Sequence, residues 1–168
     1  DHMYTTNLSQ EILTDYVFEF ITGYIYPNRS DLAGCPTPPC EARLNTVNNE
    51  ISGWAKFLAG GPPQDAGILY RYYTPNGVDH VYTTNPWTET LAGYRPEPSP
   101  GYIYLNFQPG TVPLYRYNNP AAGDHMYTTN PSQEILTGYD PEGITGYIYL
   151  NQQPGTVPLY RYYNPAGG

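Results

Sequence analysis

The amino-acid sequence predicts an all-β domain with short helical turns, closed into a pseudo-threefold ring of three small sheets, three-bladed propeller-like or prism-like. Three observations point there. The first is an internal repeat of 45 residues: His80 and His125 are 45 apart, and Arg71, Arg116 and Arg161 keep the same step. The second is period-two alternation inside each repeat, punctuated by Gly, Pro and Asn. The third is composition: 20 Tyr, 19 Pro and 17 Gly in 168 residues, of which only 13% are charged. Disordered chains are charge-rich and poor in aromatics, so this composition belongs to a packed tyrosine-rich fold. The length is that of a single domain, 1–168. A β-trefoil is the alternative, because it also has three repeats, but it needs more strands per repeat than the three found here.

The copies run 68–112, 113–157, and 158–168 joined to 1–26. The third is split between the two ends of the sequence: counting on from Gly168 to Asp1 places His2 one period after His125. Such a cut cycle requires the last strand to lie beside the first. Within a copy, Val157–Asn164 alternates Tyr160 and Tyr162 against Leu159, Arg161 and Tyr163, which is a strand followed by an Asn-Pro-Ala-Gly-Gly turn. Asp1–Asn7 is a second strand, with Asp1, Met3 and Thr5 on one face and His2, Tyr4 and Thr6 on the other. Asn130-Pro131-Ser132-Gln133 reads as a helix start, with Asn as cap and Pro at the first position. Glu134–Thr137 would extend it by a turn or two, and Gly138 would stop it. Thr145–Asn151 is a third strand, closed by a Gln-Pro-Gly-Thr turn.

The register breaks once. Tyr147 to Tyr160 and Tyr102 to Tyr115 each span 13 residues, whereas the matching step from Tyr24 to Tyr70 spans 46. An insertion therefore occupies 27–65, carrying Trp54, the only lysine (Lys56) and a short helix expected near Thr46–Leu58. It also holds Cys35 and Cys40, read as a local disulfide pinning a Pro-rich loop and pointing to an oxidising compartment. Two sequons occur: Asn28-Arg29-Ser30, where Asn28 is the expected glycosylation acceptor, and Asn7-Leu8-Ser9, where Asn7 is expected to act as a helix cap.

Charge excludes several classes. The net charge is −8 and the pI about 4.6, so a polyanion such as nucleic acid is repelled. No apolar run approaches the roughly 18 residues of a membrane-spanning helix, and no membrane insertion is expected. The sequence contains no Gly-x-Ser-x-Gly elbow, phosphate-cradling glycine loop or HExxH, and every candidate polar residue recurs in threes instead of forming one asymmetric constellation. It is therefore read as no enzyme, with no cofactor and no metal.

The phrase Pro158-Leu-Tyr-Arg-Tyr-Tyr-Asn-Pro-Ala-Gly-Gly168, continued by Asp1-His-Met-Tyr-Thr-Thr6, resembles a repeat family of secreted bacterial and fungal proteins with the pattern YR…DHxYTT, a repeat of unknown function. The resemblance covers all but the insertion. It implies an extracellular setting and, from the carbohydrate-active domains such repeats accompany, a role near glycans. The later Glu-Gly-Ile of the pattern is matched only by Glu142-Gly143-Ile144; the other copies read Phe18-Glu19-Phe20-Ile21 and Glu97-Pro98-Ser99-Pro100.

The recurring sets are Arg71, Asp79, His80 and Glu89; Arg116, Asp124, His125 and Glu134; and Arg161, Asp1, His2 and Glu11. One reading pairs Arg and Glu inside each repeat as scaffold. The other lines pockets with Arg, Asp and His beside Tyr4, Tyr82 and Tyr127, and with Trp87, which replaces the Ser132 and Ser9 of the other copies. Asp124 and His125 are neighbours on one strand and point to opposite faces, so they do not form a dyad with each other. An aromatic face with neutral donors and acceptors suits a sugar ring. The expected function is a secreted, non-enzymatic, lectin-like protein with up to three related shallow sites binding glycans or glycoproteins; an oligomer is compatible with the sequence. The alternative is a protein-binding defence, toxin or immunomodulatory protein acting through the insertion face.

Overall fold

The computed structural model describes residues 1–6, 15–27, 62–75 and 79–165. The described chain is all-β. Its strands are β1 (His2–Thr5), β2 (Val17–Pro27), β3 (Ala66–Tyr73), β4 (His80–Thr83), β5 (Arg95–Tyr104), β6 (Thr111–Asn119), β7 (Asp124–Thr128), β8 (Asp140–Tyr149) and β9 (Val157–Tyr163). All pairings are antiparallel. The strands β2 and β3 end and begin at Pro27 and Ala66, at the edges of the insertion. Cys35, Cys40, Asn7, Asn28 and the helix expected near Thr46–Leu58 lie outside the described residues.

The strands group into three units of three. In each, a central strand pairs with a short strand on one side and a long strand on the other: β6 with β7 and β8, β3 with β4 and β5, β9 with β1 and β2. The registers correspond: Arg116 faces Tyr127, Arg71 faces Tyr82, and Arg161 faces Tyr4. Each long strand also meets the other two: Tyr26 pairs with Tyr102, Tyr104 with Tyr147, and Tyr24 with Tyr149. These meetings need glycine. A Cβ on Gly23 would lie 2.8 Å from the Tyr149 carbonyl oxygen, one on Gly101 2.1 Å from that of Tyr26, and one on Gly146 2.8 Å from that of Tyr104. The three glycines occupy one position of the repeat.

The core is three positions taken three times: Leu69, Leu114 and Leu159 from the central strands; Ile25, Ile103 and Ile148 from the long strands; Tyr4, Tyr82 and Tyr127 from the short strands, all about 1% exposed. Two local expectations change. The helix expected from Asn130 is one 3-10 turn, Pro131–Gln133, and Glu134 is already extended. The Asn130 side-chain oxygen does not cap it; it accepts from the Ser132 hydroxyl at 2.7 Å. Glu134 leaves the helical path because its carboxylate is held by Arg161. The third strand starts at Asp140, not Thr145. Its first half, rich in Pro, Gly and charge, joins the sheet through two register shifts against β6, and a strand with one free edge tolerates Pro.

Candidate functional site

Three layers of recurring polar residues meet where the short strands converge. In the deepest, the Tyr4 hydroxyl donates to the Tyr127 carbonyl oxygen and accepts from the Tyr127 N–H at 2.7 Å. The Tyr127 hydroxyl does the same to Tyr82, at 2.8 Å both ways. The Tyr82 hydroxyl closes the cycle on Tyr4, at 2.9 and 2.7 Å. The rings meet edge to face at 5.3–5.4 Å between centroids, the arrangement aromatic quadrupoles favour. A short strand paired on one side only exposes backbone N–H and C=O groups on the other, and here a phenol from another unit satisfies them. Burial pushes the Tyr4 and Tyr127 hydroxyls well above the usual tyrosine range.

Above this lies a second cycle, of aspartate and histidine. His2 Nδ1 is 2.9 Å from Asp124, His80 Nδ1 3.0 Å from Asp1, and His125 Nδ1 2.7 Å from Asp79. The dyads thus form between units, as the opposite projection of Asp124 and His125 requires. Each aspartate also accepts a tyrosine hydroxyl: Tyr16 to Asp1, Tyr94 to Asp79 and Tyr139 to Asp124. Burial would raise the Asp124 pKa, but hydrogen bonds from His2 and Tyr139 and the His2 charge hold it below the usual carboxylate range. Asp1, Asp79 and Asp124 each bring a carboxylate oxygen within 4.8 Å of the others, a spacing compatible with a shared cation. Those carboxylates are already engaged as acceptors of the His and Tyr groups just described.

In the third layer Arg116 and Arg161 each sit between two carboxylates, and Arg71 lies against one among the described residues. Arg116 binds Glu89 through both terminal nitrogens, at 2.8 and 3.2 Å, and Glu142 through Nε at 2.8 Å. Arg161 binds Glu134 at 2.9 and 3.1 Å, and Glu19 through Nε at 2.6 Å. Arg71 Nε is 3.0 Å from Glu97. Burial works against the arginine charge, yet the carboxylates around Arg116 and Arg161 raise both pKa values further. Two corrections follow. At Arg116 and Arg161 the arginine–glutamate pairs expected inside a repeat join successive repeats, because the loops after β4 and β7 reach across to the next unit; Glu11 of the third set lies outside the described residues. A second glutamate set, Glu19, Glu97 and Glu142, also belongs to the network and lies within 3.4–3.8 Å of the Nε2 atoms of His2, His80 and His125. Its signal was the exact 45-residue recurrence of Glu inside segments that otherwise diverge.

Burial sorts the candidate residues. Asp1, His2, Tyr4, Arg71, Asp79, His80, Tyr82, Asp124, Tyr127 and Arg161 are all buried and engaged with one another. Most of their polar atoms are bonded to one another across the units. Arg116 and His125 are partly exposed, and Trp87 is 89% exposed. A cavity of about 220 Å³ opens between two units, and the exposed Trp87 is not among its lining residues although its chain neighbour Thr88 is. Thr84, Asn85 and Thr88 line one wall, Gly143, Ile144 and Thr145 the other, and Arg116 with Glu89 and Glu142 lies between. The Thr84 hydroxyl ties the walls together by donating to the Thr145 carbonyl oxygen at 3.0 Å. The lining offers hydroxyls, an amide and charge-paired groups, which suits hydrogen bonding to a polar ring. Among the described residues no helix is long and apolar enough to cross a membrane.

Comparison with curated proteins and with solved structures gave no match. Residues 48–136 and 68–168 each match one family model, and the chain accordingly belongs to the family described as Domain of unknown function (DUF5648).

Proposed function

We propose that this protein is a secreted, non-enzymatic, lectin-like carbohydrate-binding protein whose partners are glycans or glycoproteins. The single observation that carries this reading is the polar inter-unit cavity, two of whose lining residues, Asn85 and Thr88, flank the exposed Trp87 in the chain. A sugar ring presents an apolar C–H face to an indole and a rim of hydroxyls to threonine, asparagine and carboxylate groups. The extracellular setting is supported by the resemblance to a secreted repeat family alone.

The architecture proposed is the pseudo-threefold closed ring, with copies 68–112, 113–157 and 158–168 joined to 1–26. It is supported by the β1–β9 pairing, by the contact of each long strand with the other two, and by the cyclic tyrosine and aspartate–histidine sets. Three strands per unit favour it over a trefoil.

Affinity per site is expected to be weak, on the order of 0.1–1 mM, because a sugar buries little area and keeps much of its hydration. The test is a glycan array with the intact protein, with and without a chelator. A coherent family of bound glycans, unaffected by chelator and lost in Trp87→Ala at unchanged melting temperature, supports the reading. Silence across the array from folded protein refutes it and directs the search to a protein partner at the insertion.

A further inference from the structure

The Arg161 and Arg116 seams between units are alike in plan but not in detail, and two substitutions act on the same seam. At the Arg161 seam, Phe20 lies with its ring centroid 4.0 Å from the guanidinium carbon, covering the face of the cation. The Arg161 side chain is 3% exposed. At the Arg116 seam the matching residue is Gly143, and a Cβ built there would meet nothing within 4 Å. The Arg116 side chain is 16% exposed, and the cavity occupies the uncovered space.

The second substitution lies on the opposite wall. At the Arg161 seam the Asn130 side-chain oxygen is taken by the Ser132 hydroxyl. At the Arg116 seam the matching residues are Asn85 and Trp87. Trp has no hydroxyl to offer, and among the described residues no donor or acceptor engages the exposed Asn85 side chain. The same change places an exposed indole one residue from Thr88. One substitution empties the seam; the other leaves a free amide on its wall and an exposed indole on the chain segment between Asn85 and Thr88.

Charge then selects the ligand. One arginine is held by two glutamates, Glu89 and Glu142, so the seam carries a formal excess of one negative charge, within a chain of net charge −8. We infer that the Arg116 seam is an asymmetric binding site for one non-acidic sugar ring, neutral or amino, and that the Arg161 seam is closed by Phe20. This inference rests on the carbohydrate-binding reading and narrows it to one seam and one charge class.

The experiment titrates the intact protein with methyl glycosides of glucose, galactose and mannose, and with their 2-amino and uronic acid counterparts, following the Trp87 indole N–H signal assigned through Trp87→Phe. Neutral and amino sugars are expected to shift that signal, with acidic sugars weaker by roughly tenfold or more. Thr88→Trp, which fills the mouth from an exposed loop position, should weaken binding at least about tenfold with unchanged melting temperature. The double variant Phe20→Ser/Ser132→Trp should add a second indole that responds to the same sugars. Sugar binding that leaves the Trp87 signal unmoved, survives Thr88→Trp, or prefers uronic acids overturns the seam assignment while leaving carbohydrate binding standing. Absence of binding by every glycan on the array and in solution overturns both. If the double variant does not fold, the Thr88→Trp result and the charge ranking still decide.

Discussion

Removing one hydroxyl from the tyrosine cycle tests the account of how the units are joined. In Tyr127→Phe the ring stays and the oxygen goes. That oxygen donates to the Tyr82 carbonyl and accepts from the Tyr82 N–H, both at 2.8 Å, in a site where Tyr82 and Tyr127 are each about 1% exposed. Two buried backbone groups lose their partner at once. Each unsatisfied group costs about 1–3 kcal/mol, so the expected loss for the two is about 2–6 kcal/mol, a large part of the roughly 5–15 kcal/mol by which domains are stable. For a chain of this size the melting temperature should fall by roughly 5–15 °C. Urea unfolding of wild type, Tyr127→Phe and a control, Tyr147→Phe, measures it. Tyr147 is half-buried on a long strand, no recorded hydrogen bond engages its hydroxyl among the described residues, and the control should move by less than about 0.5 kcal/mol. A Tyr127→Phe loss below about 1 kcal/mol, or one equal to the control, would refute the claim that these phenols terminate the short-strand edges.

Three further outcomes follow from the same geometry. Gly146→Ala should cost about 1–3 kcal/mol or more, because the new methyl meets Ile103 Cδ1 at 2.5 Å and the Tyr104 carbonyl oxygen at 2.8 Å. Gly67→Ala should cost less in the same urea series, since the methyl meets only the end of the exposed Leu105 side chain. Arg161→Met, which strands Glu19 and Glu134 beside a 3% exposed site, should destabilise by roughly 3–5 kcal/mol. Arg116→Met should cost less, because its 16% exposed seam lets water reach Glu89 and Glu142; equal losses would contradict the difference between the seams. Burial pushes Tyr104 and Tyr149 up to about 12 from an ordinary value of about 10. A phenol whose folded pKa is raised contributes stability that is complete below about pH 10 and is lost as pH rises through about 12. Urea midpoints measured between pH 8 and 11 should therefore hold level and then fall, and a flat profile to pH 11 would contradict this burial.

The 45-residue spacing by itself determined which positions are equivalent, and the period-two alternation inside each copy determined that the chain is all-β; which of the recurring apolar residues form the core was decided by the structure. Leu159, Ile148 and Tyr127 recur because each unit packs the same apolar surface inward, and a repeated local pattern is visible along the chain. The exposure of Trp87 and the pairing partners of the arginines were not visible. Asp124 is bonded to His2, and Glu134 to Arg161, across units that the sequence separates. Partner choice between equivalent copies depends on which unit lies beside which, and a periodic sequence carries the same letters for every choice. Glu19, Glu97 and Glu142 were periodic yet read as mismatches, because their neighbours differ while the carboxylate alone keeps its place beside each arginine. Only the tertiary structure decided that most of the recurring polar residues are enclosed between units. It also decided that the difference between Phe20 and Gly143 lies over the face of an arginine, where a ring fills one seam and its absence leaves the other open.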